Sequence, residues 1–235
     1  ITATDITSIN TSNTGTITVT NTIDIVGSGA QVKSAFDAID TNTGNATANI
    51  TGTDYTVAQL KAINNATDGA IVLADASGAL SGTVADIKDA FAGTVTEHTG
   101  TLEISDAGTT DITATDITSI NTTNTGTITV ANAIDINGSG SEVAAAFAAI
   151  DTNTGNATAN ITGTDYTVAQ LKAINNATTG AIVLATSTNQ ALSGDATDLA
   201  AALDGTINYT GNVTVTDNAS VSYTHLRAHE TPLPR

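Results

Sequence analysis

The chain carries eight helix-start signals at nearly even intervals along its length. In each signal a Ser, Thr or Asp is followed three positions later by Asp, Glu or Gln. This pattern predicts a capping box, in which the two side chains satisfy backbone N–H groups that the first turn of a helix leaves unpaired. The eight pairs are Thr2/Asp5, Ser28/Gln31, Thr56/Gln59, Thr83/Asp86, Thr113/Asp116, Ser139/Glu142, Thr167/Gln170 and Asp195/Asp198. Eight evenly spaced helix starts indicate a repeat protein.

Between successive helix starts lies a Thr-Gly or Asp-Gly step, followed in most units by apolar residues at alternate positions. Alternation with a period of two predicts a β-strand. The glycines are Gly15, Gly44, Gly69, Gly100, Gly126, Gly155, Gly180 and Gly211. The clearest strands are centred on Ile17/Val19, Ile71/Leu73, Leu102/Ile104, Ile128/Val130, Ile182/Leu184 and Val213/Val215, and weaker ones on Ala48/Ile50 and Ala159/Ile161. Each unit is therefore predicted to run helix, glycine turn, strand.

The segment from Ala38 to Thr67 recurs unchanged as Ala149 to Thr178, which indicates tandem duplication and gives residues of the first half counterparts in the second. A single unit buries too few apolar side chains to offset the entropy of ordering its residues, so the units must stack. We therefore predict an α/β fold: an open, right-handed solenoid with parallel strands and short helices, at about 28 residues per coil. A parallel β-helix and a (β/α)8-like barrel are the alternatives.

Residues 1–220 are predicted to form one solenoid of eight strand-helix units. Because the chain starts at Ile1 and stops soon after a strand, we expect a fragment truncated at both ends. The final segment, residues 221–235, has a different composition and contains both prolines and both arginines. Residues 221–231 resemble a translated sequencing adapter, so this tail is predicted to be non-native and disordered.

The formal net charge is −17, with only 6 basic residues against 23 acidic ones. A nucleic-acid partner is not expected, because such a surface needs clustered Lys and Arg. No apolar run reaches the length of a membrane span, so membrane insertion is not expected either. The chain has no cysteine, which excludes disulfides and is compatible with an exported bacterial protein that does without them.

Few residues are candidates for chemistry. Asp106, Asp111 and Asp116 follow one another at five-residue spacing around a predicted strand-to-helix loop. Carboxylate oxygens suit Ca²⁺, so these three are the calcium candidates, and no other cofactor is predicted. His98 precedes a glycine turn without a nucleophile or carboxylate partner in the sequence, so we interpret it as a solvated surface residue. No catalytic residue is predicted.

The alternation of Thr-Gly strand, Asp-rich corner and short Ala-rich helix resembles the long repetitive regions of very large bacterial cell-surface and adhesin-like proteins. The resemblance covers residues 1–220 and lies in composition and repeat style. It implies a structural stalk, spacer or adhesive repeat region of an exported protein, without catalysis, at the cell surface or outside the cell. The expected contacts are the neighbouring repeats of the same chain. The alternative is a repeat module that binds a glycan or a cell-surface protein through one face of the solenoid.

Overall fold

The computed structural model describes residues 1–185 and 190–217, so the tail prediction for residues 221–235 lies outside the described residues. Eight short helices are present in these ranges. They are α1 (Ala3–Ser12), α2 (Gly29–Ala38), α3 (Val57–Ala66), α4 (Val84–Ala90), α5 (Ala114–Thr123), α6 (Gly140–Ala149), α7 (Val168–Ala177) and α8 (Ala196–Leu203). None of these helices is long and apolar enough to cross a membrane.

Fifteen short strands alternate with the helices in the described ranges. They are β1 (Thr18–Val19), β2 (Asp24–Gly27), β3 (Thr41–Asn42), β4 (Thr47–Ile50), β5 (Ile71–Leu73), β6 (Leu80–Gly82), β7 (Leu102–Ile104), β8 (Asp111–Thr113), β9 (Ile128–Val130), β10 (Asp135–Gly138), β11 (Thr152–Asn153), β12 (Thr158–Ile161), β13 (Ile182–Leu184), β14 (Leu192–Gly194) and β15 (Val213–Val215). The predicted strands are all found, but most units contain a second strand that we did not predict. These additional strands are two to four residues long and contain Asp, Gly or Asn, so their alternation is weak.

Every strand pair is parallel, and the fold class predicted from the sequence is confirmed. The sheets have the strand orders β1-β3, β2-β4-β5, β6-β7-β9-β11, β8-β10-β12-β13 and β14-β15. Each order is linear, so no sheet within the described ranges closes on itself as a (β/α)8 barrel would. Each helix packs against the next one along the chain, from α1 to α8.

All eight predicted helix starts are confirmed as N-caps. Five form the full capping box, with the cap residues Thr2, Ser28, Thr56, Ser139 and Thr167. At α4 and α8 the cap side chain accepts from the third residue of the helix, without the return bond to the cap N–H. Only Thr113 makes no side-chain cap bond among these eight. The sequence signal therefore locates each helix start even where half of the box is missing.

The spacing of the strands differs from that of the helices. In most strand pairs 23 residues separate the paired positions, as between Asp24 and Thr47, whereas 26 residues separate those of β7 and β9, as between Leu102 and Ile128. The predicted length of about 28 residues per coil is therefore the spacing of the helices. The spacing of most paired strands is shorter than this. Because the two spacings differ, the helices shift around the coil from one unit to the next. The shift is visible at the paired strands β4 and β5. β4 is the second strand between α2 and α3, whereas β5 is the first strand between α3 and α4.

This shift explains why each sheet has only two to four strands. After β3, the place of the next strand is taken by the end of α3, where the Asn42 amide donates to the Ala66 carbonyl at 3.2 Å. After β11 the end of α7 does the same, through Asn153 and Ala177. The sheets are therefore interrupted by helices, and a single continuous apolar core runs from Ala3 to Ala202 beneath them.

The Thr-Gly corners are the places where consecutive coils come closest. A Cβ atom added to Gly126 would lie well inside van der Waals contact of the Gly100 carbonyl oxygen in the preceding coil. Gly44, Gly100 and Gly155 face the backbone of the coil before them in the same way. None of these glycines has a positive φ angle, so close approach and not backbone conformation requires glycine there.

Candidate functional site

The three predicted calcium ligands line one open cleft between α4 and α5. This α4–α5 cleft has a volume of about 390 Å³ and is bordered by Lys88, Asp106, Asp111 and Asp116. The predicted strand-to-helix loop, however, contains β8, which begins at Asp111.

Asp106 is buried and joins two coils. One of its carboxylate oxygens accepts the backbone N–H of Val84, the first residue of α4, at 2.8 Å. The carboxylate therefore caps the N-terminus of α4 from the following coil. Asp217, its counterpart in the second half of the duplication, makes the same kind of bond to Ala196, the first residue of α8, at 3.0 and 3.1 Å. A helix cap supplied by the next coil is thus a repeated structural device.

The other two aspartates each have a different partner. Asp111 is exposed, and its carboxylate accepts from the Asn137 amide at 3.0 Å. Asp116 forms an ion pair with Lys88 between α5 and α4. Partial burial opposes ionisation of Asp116, but hydrogen bonds from Lys88 and Thr113 and the charge of Lys88 outweigh it and lower the pKa of the carboxyl group.

The arrangement does not form a ligand set for a metal ion. Each of the three carboxylates is held by a different protein donor, and no group of three or more His, Asp or Glu side chains in residues 1–185 and 190–217 is placed to hold one. Calcium prefers six to eight converging oxygen ligands. Calcium binding by Asp106, Asp111 and Asp116 therefore stays a prediction.

A chelator experiment tests the calcium prediction. If Ca²⁺ binds the folded chain, thermal unfolding with excess Ca²⁺ should have a higher midpoint than unfolding with EDTA, because a ligand of the folded state stabilises it. Mg²⁺ at the same concentration controls for general screening of the negative charge. Equal midpoints in all three conditions would contradict calcium binding.

The cross-coil cap of Asp106 gives a second prediction. Asp106→Ala removes the acceptor of the Val84 N–H and is expected to lower the free energy of unfolding by about 1–2 kcal/mol. Asp111→Ala is the matched control, because its exposed carboxylate has only an amide partner, and it should change stability by less than about 0.5 kcal/mol. Urea unfolding of both variants in EDTA measures the difference, and equal losses would argue against the capping role.

The lysines also connect consecutive helices. Lys61 of α3 pairs with Asp86 and Asp89 of α4 at 2.7 and 2.9 Å. Hydrogen bonds to these two carboxylates raise the pKa of Lys61, and the bond from Lys61 lowers the pKa of Asp86. Lys172 and Asp198 repeat the contact between α7 and α8. These pairs are partly exposed to solvent, so they orient helices and add little stability.

The sequence interpretation of His98 is wrong. The residue is completely buried, and its two ring nitrogens lie 2.7 Å from the Asn124 side-chain oxygen and 2.7 Å from the Gly78 carbonyl oxygen. The Asn124 amide nitrogen donates to the Gly126 carbonyl at 2.7 Å, which places the Asn124 oxygen against the ring. Both nitrogens therefore face hydrogen-bond acceptors.

His98 thus connects three successive coils rather than facing solvent. Its ring also lies against Phe91, with the ring centroids 5.9 Å apart. A partial signal was present in the sequence, since Tyr209 is its counterpart in the second half of the duplication. The Tyr209 hydroxyl donates to the Gln190 carbonyl at 2.6 Å, as His98 does to Gly78. His and Tyr share a hydrogen-bond donor at the far end of a ring, and at this position that donor reaches a backbone carbonyl of the preceding coil.

Comparison with protein-family models gave no match for this chain. Comparison with the curated proteins and with the solved structures gave no match either.

Proposed function

We propose that this chain is a repetitive stalk, spacer or adhesive region of an exported bacterial surface protein, without catalytic activity. The observation that carries the proposal is the repetition of structural contacts between the two halves of the duplication. Thr67/Thr178, Lys61/Lys172 and Asp106/Asp217 are corresponding residues with corresponding partners. Residues that recur in this way serve the stacking of coils, and stacking is what gives a spacer its length.

The polar groups of the interior support the same role. Thr67 donates to the Ala46 carbonyl at 2.6 Å, and Thr178 donates to the Ala157 carbonyl at 2.6 Å, each across one coil. No buried side-chain polar atom in the described ranges lacks a hydrogen-bond partner. Such groups contribute to rigidity when fully paired, which suits a stiff spacer.

The binding-module alternative would be favoured by a row of exposed aromatic side chains. Tyr55 and Tyr166 are buried, and Tyr209 is partly buried. Nothing in the described part of the chain therefore favours a glycan- or protein-binding face over a spacer. The alternative stays a prediction.

Surface labelling of native cells tests the proposal. Antibodies against the purified chain should label intact cells, and external protease should remove the label. The complete gene should encode an export signal and an anchoring or secretion segment. Labelling that requires cell lysis, together with a gene that lacks an export signal, would overturn the proposal.

A further inference from the structure

Three steps of the sequence, in which glycine follows Asp or Asn, have the chemistry for spontaneous rearrangement of the backbone. They are Asp68-Gly69, Asn137-Gly138 and Asp204-Gly205. In such a step the glycine nitrogen can attack the carbonyl carbon of the preceding side chain, because glycine has no Cβ that would hinder the approach. A side-chain amide is attacked more readily than an ionised carboxylate, so the sequence alone predicts that Asn137-Gly138 reacts first. The surroundings of the three steps differ greatly.

Asn137-Gly138 is held inside a sheet. Both residues belong to β10, which pairs with β8 on one side and with β12 on the other. The Asn137 amide donates to the Asp111 carboxylate at 3.0 Å, and the Gly138 carbonyl accepts the Thr162 N–H at 2.9 Å. Attack by the glycine nitrogen requires rotation of the backbone between the two residues. The paired strands oppose this rotation, so the step reacts only after local opening of the sheet.

Asp68-Gly69 is exposed at the aspartate but fixed at the glycine. The Gly69 N–H donates to the Thr67 hydroxyl at 3.0 Å, and the buried Thr67 hydroxyl donates to the Ala46 carbonyl at 2.6 Å. A Cβ added at Gly69 would lie 2.4 Å from the same carbonyl oxygen, so this corner is packed against the preceding coil. The nitrogen that would attack Asp68 is therefore engaged by another side chain.

Asp204-Gly205 has neither kind of protection. Asp204 is the C-cap of α8, both residues are exposed, and neither belongs to a strand. The Gly205 N–H donates to Oδ1 of Asp204 at 2.9 Å, so the nitrogen already contacts the side chain that it would attack. Gly205 has a φ angle of +71°, and an added Cβ would meet only the end of the Asn175 side chain, at 3.3 Å. Nucleophile and carboxyl group are thus together where no strand pairing holds the backbone.

We propose that Asp204-Gly205 is a site of spontaneous isoaspartate formation in the folded protein, and that the fold protects the other two steps. The Gly205 nitrogen loses its proton and attacks Cγ of Asp204. The bond between Cγ and one carboxyl oxygen breaks, and water leaves. The Asp204 ψ angle of 162° must change for this succinimide ring to close, and the glycine tolerates the change.

Hydrolysis of the ring completes the rearrangement. Water adds to the main-chain carbonyl of Asp204, and the bond between that carbonyl carbon and the Gly205 nitrogen breaks. The chain then continues through Cγ, and the former main-chain carbonyl becomes a free carboxylate. The net reaction consumes and releases one water, so no other reagent is needed.

The new linkage lengthens the backbone just before a contact between coils. The Thr206 carbonyl accepts the Ile182 N–H at 2.8 Å, and Ile207 bridges to Ile182. The additional backbone atom and the new carboxylate lie directly ahead of these bonds. Isomerisation should therefore weaken the attachment of this segment to β13. The proposal concerns backbone chemistry and does not depend on a cell-surface role.

The duplication supplies a matched variant. Gly93 corresponds to Gly205 and has nearly the same φ angle, +72°, but the residue before it is Ala92. Both glycines follow a helix, and the residue two positions later bridges to β5 or β13. Asp204→Ala therefore introduces the residue found at the corresponding position, and it should keep the fold while removing the reacting group. Asp204→Asn supplies the more reactive amide in the same place.

Peptide mapping of the full-length folded chain tests the proposal. The chain is incubated in neutral buffer until the reaction at Asp204 in a parallel urea-unfolded sample levels off. Trypsin then separates the three steps into different peptides, because it cleaves after Lys61, Lys88, Lys172 and Arg227. Electron-transfer fragmentation distinguishes isoaspartate from aspartate, and a sample digested without incubation corrects for the reaction during digestion.

The folded chain should contain more isoaspartate at Asp204 than at Asn137, and at least about tenfold more than at Asp68, because the other two steps must open first. In urea, where this protection is lost, Asn137 should react fastest. Asp204→Ala should show no isoaspartate at this position and an unchanged circular dichroism spectrum. Asp204→Asn should react faster than the unaltered chain.

Three results would overturn the proposal. The first is a folded chain in which Asp204 stays unchanged while the urea-unfolded sample reacts. The second is a folded chain in which Asn137 or Asp68 reacts faster than Asp204, since the fold would then not control the order. The third is an Asp204→Asn variant that reacts no faster than the unaltered chain, because the ring would then not form at this place.

Discussion

Gly126→Ala should destabilise the fold by about 3 kcal/mol or more, the largest effect expected from adding a single methyl group. The new Cβ would overlap the Gly100 carbonyl, which is backbone and is held by the hydrogen bonds of the preceding coil. Overpacking against rigid groups typically costs about 1–3 kcal/mol, and collision with backbone exceeds that range. The midpoint of thermal unfolding should fall by roughly 6–12 °C for a chain of this size.

Gly15→Ala is the matched control, because Asn13 to Thr16 and Asn124 to Thr127 have the same sequence. Gly126 lies against the backbone of the preceding coil, whereas no coil lies against Gly15 in the described ranges. At low concentration Gly15→Ala should stay within about 0.5 kcal/mol of the unaltered chain. Equal destabilisation by both changes would mean that the turn itself requires glycine, and that close stacking does not explain these corners.

His98→Leu should lower the free energy of unfolding by about 2–4 kcal/mol. Leucine fills the space but leaves the buried Gly78 carbonyl and the Asn124 side-chain oxygen without a donor. An unpaired buried polar group costs about 1–3 kcal/mol. Urea unfolding measures the loss, and an unchanged slope against urea concentration would show that the unfolding transition itself has not changed.

Two further variants separate the roles of His98. His98→Tyr introduces the residue found at the corresponding position 209, and it should lose less stability than His98→Leu because its hydroxyl can donate to Gly78. Glu97→Ala changes the exposed neighbour and should have an effect below about 0.5 kcal/mol. If His98→Leu were as stable as Glu97→Ala, the two buried hydrogen bonds would not stabilise the fold.

The helices and the candidate cleft were predictable to different extents. The helix starts could be predicted because a capping box is local, with both partners within four residues. The sequence grouped Asp106, Asp111 and Asp116 around one strand-to-helix segment, and all three border the α4–α5 cleft. The partner of each carboxylate could not be predicted, because Val84, Asn137 and Lys88 lie 22 to 28 residues away.

His98 shows the same limit. A lone histidine among Thr and Glu has the local features of an exposed loop, and its burial depends on the Gly78 and Asn124 coils that lie on either side of it. The second strand of most units was missed for a related reason. Segments of two to four residues such as β8 and β10 have little intrinsic preference, and they become strands by pairing with neighbours already in place.

The sequence by itself determined the helix starts, the glycine corners, the parallel order of the strands and the tandem duplication. These follow from backbone hydrogen bonding within one turn of helix and from apolar side chains at alternate positions, which act over a few residues. Only the tertiary structure decided the length of a coil. Hydrogen bonds between neighbouring strands set a spacing that is 23 residues in most pairs and 26 between β7 and β9, and the helix signals do not contain it.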